Sequence, residues 1–510
     1  MDKQELLKKG SKAAYYTFIF KIGSQFASLV ITILLVRFLS EHDYGVYNLL
    51  YSTIGIIGIV ASFGLSNTLQ RFIPEYYQKG EFMLAHRLYE TSSFIRLVSN
   101  ILIIALLILF WDLFAVYLKI EDYKNYFLLF SFILVLYMQW GLVDVCLSSY
   151  FLHKYTQGMM FVLMIIKLIG YLIAFYLGIN LSSILLVDLL GYVILFITLQ
   201  LIYTKKIPKN EGQVERFTPD EKKRVQKYAL YYNFNDIGVQ FLDLNIDNFT
   251  LAYFLNPVAV GAYAFCNRIA KTINRFLPTT YLIEVIRPLL FSAYSTRKDS
   301  VTPFYQFMIK IIYLFYVPIF VFFLVFSKDI ITVVFGGKYL EYSYVLVSVI
   351  FFQMISAFQI PLGLIAQLQE KVEIILFSKI FGIYNLIADI IMIKWWGIMG
   401  AVVATGSAVF LRNIFIWWFT RNTTTFKGLR QYFIRAGIYA VTLYAIFMIS
   451  KSFINSVFFS LIIGLVFMIL SFIIYTRVTV FSAQERSWLA NASHGKYQMK
   501  ILQWLGIIAA

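Results

Sequence analysis

Two charged stripes lie in apolar sequence, where charge is costly. Asp236, Gln240, Asp243 and Asp247 follow at steps of four, three and four, which places them on one helical face. Arg268, Lys271 and Arg275 follow at steps of three and four, again one face. Asn256-Pro257 marks a tight turn between the two runs, so they are expected to run antiparallel. At about 1.5 Å per residue, Asp243 comes level with Arg268 and Lys271, and Asp236 with Arg275. Two chemistries fit this pattern. Either the stripes neutralise each other as a structural ion-pair ladder, or part of the basic stripe faces a cavity and binds an anion. The acids Asp236, Asp243 and Asp247 are then ion-pair or coupling residues. Lys21 has no carboxylate in its own apolar run. With Arg268, Lys271 and Arg275 it leaves the set one positive charge in excess, and excess positive charge in a low-dielectric space attracts anions. Guanidinium forks also match phosphate oxygens.

Other charges fall inside apolar runs. A charged side chain at the bilayer centre costs about 2.5–3.5 kcal/mol on insertion scales, so each calls for a cavity or a partner. Lys167 and Lys379 are candidate cavity-wall residues. Asp144, Asp188 and Asp389 are candidates for a pathway or coupling role. Glu284 and Arg287, three apart, are expected to pair, and Arg412 to snorkel or pack. Pro278, Pro318 and Pro361 lack an amide donor and are expected to kink or loosen their helices.

The elements that must position these residues follow from composition. The chain has 510 residues, 60% hydrophobic and 14% charged, with mean hydropathy +0.74. Soluble domains average about 45–50% apolar and about 25% charged. The excess apolar surface must face lipid. A membrane helix needs about 20 mostly apolar residues. Fourteen such spans are read, near 13–37, 46–68, 93–115, 126–148, 158–178, 181–203, 228–254, 258–290, 304–326, 343–367, 372–394, 398–419, 432–450 and 453–475. Those near 228–254 and 258–290 are the least apolar.

The chain carries 44 Lys and Arg against 27 Asp and Glu, a net charge of +17. Alternate loops hold about 29 and 7 of the basic residues, and the bias alternates loop by loop. The positive-inside rule then places both termini in the cytoplasm of a multi-pass membrane protein. The basic residues lie in short loops between apolar runs, which is the wrong distribution for a nucleic-acid face.

The chain reads as a duplication. Phe38-Leu39-x5-Gly45-x-Tyr47 returns as Phe254-Leu255-x5-Gly261-x-Tyr263, and Lys167-x-x-Gly170 returns as Lys379-x-x-Gly382, at offsets of 216 and 212. Each pair lies six spans apart, so the halves share orientation as a parallel repeat. The expected architecture is an all-α integral membrane protein of about fourteen helices. Two six-helix lobes, 1–203 and 228–421, are joined by a polar cytoplasmic linker at 204–227. Two extra helices occupy 422–475, and 476–510 forms a cytoplasmic amphipathic tail. Facing lobes suit alternating access.

No GxGxxG, Walker, GxSxG or HExxH pattern occurs, so neither an enzyme nor an ATPase is expected. Cys146 and Cys266 sit in apolar runs, which argues against a disulfide framework. His42, His86, His153 and His494 lack metal-ligand spacing and are read as structural loop histidines. No metal or cofactor is expected beyond a coupling Na+ or H+.

Four stretches resemble one family. Leu35-Val36-Arg37-Phe38-Leu39-Ser40-Glu41-His42-Asp43-Tyr44-Gly45-Val46-Tyr47 is similar to the first outer loop of the bacterial polysaccharide (O-antigen type) flippases. Phe63-Gly64-Leu65-Ser66-Asn67-Thr68-Leu69-Gln70-Arg71-Phe72 resembles the end of their second span. Asn245-Ile246-Asp247 with Gly261-Ala262-Tyr263, and Trp396 through Thr405, are similar again. The likeness covers nearly the whole chain, with the last 35 residues least characteristic. It implies membership of the multidrug/oligosaccharidyl-lipid/polysaccharide exporter superfamily and fourteen helices. It implies translocation of undecaprenyl-pyrophosphate-linked oligosaccharide across the bacterial cytoplasmic (inner) membrane for surface polysaccharide or lipopolysaccharide biosynthesis. Related lipid-carrier flippases carry basic residues on the first and eighth helices, the helices that here hold Lys21 and Arg268. The pyrophosphate is thus expected near Lys21, Arg268, Lys271 and Arg275. Expected partners are the lipid-linked oligosaccharide, membrane lipids, and a polysaccharide polymerase with other assembly proteins. A cation-coupled drug antiporter of the same superfamily is the alternative, although the first span has no acid for a cation site.

Overall fold

The computed structural model describes residues 3–178, 180–207, 217–240, 244–277, 301–369, 371–426 and 428–477, with 481–482 and 485–486. Among the described residues every regular element is helical. An apolar chain in lipid has no water to satisfy its amides, so each segment must bond to itself. Eleven described helical spans are long and apolar enough to cross a membrane. They coincide with eleven of the fourteen expected spans. The others, near 46–68, 228–254 and 258–290, are those in which the structure differs or is only partly described.

The chain packs as two compact units, residues 1–264 and 265–510. In the first, α1 (Lys3–Phe38) turns through Ser40 into α2 (Glu41–Ala61), where the Ser40 hydroxyl caps the helix by accepting from the Asp43 amide. The expected second span stops early. At Phe63 and Gly64 φ is +45° and +62°, and α3 (Leu65–Lys79) restarts after this break. A Cβ on Gly64 would lie 2.1 Å from the Ala229 carbonyl oxygen, so only glycine allows both the left-handed turn and the neighbouring backbone. There follow α4 (Phe82–Leu109), α5 (Trp111–Leu118), α6 (Lys124–Ser149), α7 (His153–Tyr176) and α8 (Leu181–Lys206). α1 lies along α7, α7 and α8 pair, and α6 packs on α8, α3 and α4.

The polar stretch expected as a linker is partly helical. α9 (Pro219–Gln240) begins inside it. Thr218 and Glu221 form a reciprocal capping box: the Glu221 carboxylate accepts the Thr218 amide at 3.0 Å, and the Thr218 hydroxyl accepts the Glu221 amide at 3.3 Å. Pro219 fills the first helical position, where no amide is missed. α10 (Leu244–Phe254) and α11 (Pro257–Phe276) follow. Within the first unit α9 packs on α3 and α10 on α2. A Cβ on Gly45 would meet the Pro257 carbonyl oxygen at 1.8 Å. The two copies of the repeated Gly-x-Tyr loop therefore touch, and the close approach accounts for this glycine.

The second unit contains α12 (Val301–Phe335), α13 (Ser343–Ser356), α14 (Gln359–Leu368), α15 (Val372–Phe377), α16 (Ile380–Trp396), α17 (Ile398–Thr420), α18 (Arg430–Phe453) and α19 (Val457–Arg477). The tenth span breaks at Ala357-Phe358, ahead of Pro361, as the missing amide donor there predicts. Pro318 interrupts nothing, because α12 continues past it. The eleventh span breaks at Ser378-Lys379. α18 and α19 pack on α12 through Phe322, Phe326, Leu443, Phe447 and Leu461. Pro278, Glu284 and Arg287 lie outside the described residues.

Candidate functional site

The structure brings Lys167, Asp188 and the repeat residue Tyr47 into one closed cluster. Lys167, on α7, meets the Asp188 carboxylate, on α8, at 3.0 Å. Asp188 is fully buried and Lys167 is 6% exposed. The carboxylate also accepts from Tyr47 Oη at 3.1 Å and from the Tyr51 and Tyr171 hydroxyls. The Lys167 ammonium donates to Tyr51 Oη at 3.3 Å and lies 4.8 Å from the Tyr192 ring centroid. The carboxylate is fully engaged, and the formal charge of the cluster sums to zero. A charge taken out of water must be paired and hydrogen-bonded to persist, and this one is. Asp188 is a sequence candidate by its position alone. Its pairing with Lys167 spans two helices and has no mark in local spacing.

The acid stripe is described only in part. Asp236 and Gln240 lie in α9, but their side chains are outside the described residues, as is Asp243 altogether. Asp247 is buried and accepts from Tyr263 Oη at 2.5 Å. Tyr263 is the repeat partner of Tyr47, so both copies of the repeated tyrosine donate to a buried aspartate.

The basic stripe lies on α11 as expected. Arg268 is half-buried, while Lys271 and Arg275 are exposed. Lys21 projects from α1, exposed between the exposed apolar side chains Phe18, Ile19, Ile22 and Phe26. It makes no hydrogen bond or ion pair with any described residue.

The backbone at Lys379 differs from that at Lys167. Lys379 sits half-buried at the break that starts α16, whereas α7 runs unbroken through Lys167. Asp389 is fully buried in α16. The histidines lie at helix starts rather than in loops: His42 in α2, His86 in α4 and His153 in α7, with His494 outside the described residues. His86 bonds Tyr203 Oη at 2.5 Å and Glu90 at 2.8 Å. Among the described residues no cluster of His, Cys, Asp and Glu could hold a metal. Cys146 and Cys266 are buried free thiols.

Apolar helices in two units, with charges held inside the spans, define a multi-pass helical membrane protein. The structure is similar to that of lipid II flippase MurJ in an inward closed conformation, with TM-score 0.68 and 16% identity, covering 90% of this chain and 98% of that one. It is also similar to an inward-facing multidrug resistance MATE family transporter of the MOP superfamily, with TM-score 0.61 and 13% identity, covering 78% of this chain and 94% of that one. The MATE multidrug transporter DinF-BH is similar too, with TM-score 0.55 and 14% identity, covering 82% of this chain and 96% of that one. At these identities the likeness is one of fold. In sequence, residues 34–344 match the family model described as polysaccharide biosynthesis protein. That is more than half of the chain, and the chain belongs to this family. No curated protein sequence matches it.

Proposed function

We propose that this protein moves undecaprenyl-pyrophosphate-linked oligosaccharide from the inner to the outer leaflet of the bacterial cytoplasmic membrane, with both termini in the cytoplasm. The observation that carries the reading is Lys21, a cation exposed on an apolar helix with no partner among the described residues. A membrane protein retains such a charge where an anion or a water-filled path meets it. The one-faced basic stripe Arg268, Lys271 and Arg275 on α11 is a second set of donors matched to phosphate oxygens. The polysaccharide family and a fold shared with a lipid flippase support the same substrate class. Asp236, Asp243 and Asp247 are the coupling candidates, for H+ or Na+.

Lys21→Ala and Arg268→Ala are each expected to abolish glycan export while the folded protein stays in the membrane at normal level. Normal export by both variants overturns the proposal. Identification of the co-purified lipid is the direct test: a lipid-linked sugar supports it, and a bound cationic drug moves the protein to the antiporter class. Because Cys146 and Cys266 are buried, cysteines introduced at exposed Lys222 or Lys119 report sidedness cleanly. Labelling of position 222 from the cytoplasm and of position 119 from outside is expected.

A further inference from the structure

The first unit holds a cleft of about 610 Å³ that the transport reading does not use. Its walls are α3, α4, α9 and the break at Phe63. The volume falls within the roughly 300–1,000 Å³ of small-molecule sites. Its lining includes two cations, Arg87 and Lys222, and no acid.

The cations sit at one end of a graded wall. On α4, Arg87, Thr91 and Ile95 follow at steps of four along one face. On α9, Lys222, Val225, Gln226, Ala229 and Leu230 form a second face, closed beyond Leu230 by Asn233, whose carboxamide oxygen accepts from the Ser62 hydroxyl. From its basic residue to Ile95 or Leu230 each wall spans eight residues, about 12 Å at 1.5 Å each.

Both walls point the same way, and the packing shows why. α3 and α4 are joined by a tight turn at Gly80, so they run antiparallel. α3 and α9 are also antiparallel. Glu75, late in α3, holds Arg224, early in α9, through two bonds of 2.9 Å. Gly64, ahead of α3, touches Ala229 further along α9. α4 and α9 are therefore parallel, with Arg87 and Lys222 at one end of the cleft and Ile95 and Leu230 at the other. Phe63, Ile95 and Leu230 are 43%, 39% and 58% exposed.

Among the described residues no carboxylate pairs with Arg87 or Lys222. Glu75 is engaged by Arg71, Lys79 and Arg224. Glu221 closes the capping box with Thr218, and Glu90 meets His86. Neither Arg87 nor Lys222 makes a side-chain hydrogen bond or ion pair with a described residue.

We propose that this cleft is a binding site for an anionic membrane phospholipid, with its phosphate between Arg87 and Lys222 and an acyl chain along Leu88, Ile95 and Leu230. The polarity gradient matches an amphiphile. The apolar wall, about 12 Å long, fits within the roughly 15 Å half-thickness of the hydrocarbon core, which suits a chain confined to one leaflet. Basic pockets between helices on the cytoplasmic side bind anionic head groups in this way, and the loop-charge bias puts this end there. The site is independent of the transported substrate.

The test is native mass spectrometry of the full-length protein, delipidated in detergent and titrated with equal amounts of phosphatidylglycerol and phosphatidylethanolamine. Two basic contacts predict a preference of roughly tenfold or more for phosphatidylglycerol. Arg87→Gln with Lys222→Gln is expected to remove that preference, and Arg87→Lys to retain most of it. Ile95→Asn with Leu230→Asn is expected to weaken retention of both lipids. A parent protein without the preference, or a double glutamine variant that keeps it, overturns the proposal. So does displacement of phosphatidylglycerol by an equal amount of polyprenyl phosphate, which would assign the cleft to the carrier lipid. Displacement by millimolar inorganic phosphate would show that the apolar wall contributes nothing, and overturns it as well.

Discussion

Lys167 with Asp188, and Arg87 with Lys222, are two places in the same unit where cations meet apolar helices, and they are built oppositely. Lys167 is sealed: its carboxylate is 3.0 Å away and three tyrosine hydroxyls occupy the remaining acceptor capacity. Arg87 and Lys222 line an open cleft with no acid in its lining. The difference follows access to water. Away from water a charge must bring its own counter-charge. Near the interface head groups and water can provide it. Pairing therefore marks Lys167 as part of the framework, while the open cations are the ones placed to meet a ligand.

The largest expected effect comes from breaking the sealed pair. Asp188→Asn leaves Lys167 as a buried cation without its counter-charge, and should cost about 3–5 kcal/mol, read as a loss of folded, monodisperse protein on heating. Lys167→Met with Asp188→Leu should recover only part of that loss, because it removes the uncompensated cation but leaves the Tyr47, Tyr51 and Tyr171 hydroxyls without their shared acceptor. If Asp188→Asn melts like the parent, the cluster is not a closed framework.

The open cleft depends on how α9 is held against α3, and Gly64→Ala attacks that contact. The substitution puts a Cβ against the Ala229 carbonyl at a residue with φ of +62°. A cost of about 1–3 kcal/mol is expected, together with faster proteolysis around residue 217 and weaker retention of phosphatidylglycerol. Unchanged proteolysis would mean that α9 does not rely on this approach.

The smallest effect is pH-dependent and concerns the other clamp on α9. The Arg224 guanidinium, with Lys79 behind it, holds Glu75 down from 4.5 to about 2 despite partial burial. Its folded value lies below its unfolded one, so the unfolded chain takes up the proton first. The clamp therefore contributes fully above about pH 4.5 and is lost as pH falls toward 2. Limited proteolysis of α9 should rise across that window in the parent. Glu75→Gln should show the raised level already at neutral pH and little further change.

Much of the fold was legible because lipid imposes a one-dimensional rule: an apolar run long enough to cross must be helical. Eleven expected spans meet that test in the structure. The misread places share a cause. The break at Phe63-Gly64 and the start of α9 at Pro219 were obscured because an apolar run continues across the first and a polar stretch hides the second. The Thr218-Pro219-Asp220-Glu221 pattern carried a readable helix start. Gly64 carried no comparable mark, since its reason is the Ala229 backbone 165 positions later.

Composition and short periodic spacing were enough for the membrane class, the repeated Gly-x-Tyr loops, the alternation of basic loops and the one-faced basic stripe of α11. Each of these is a local property of the chain, and lipid turns it into structure without reference to distant segments. The folded arrangement was needed to show that Lys167 is neutralised by Asp188, that Tyr47 and Tyr263 each donate to a buried aspartate, and that Arg87 and Lys222 share one cleft. Those facts depend on which helix faces are brought together, and that is set by packing between segments distant in the chain.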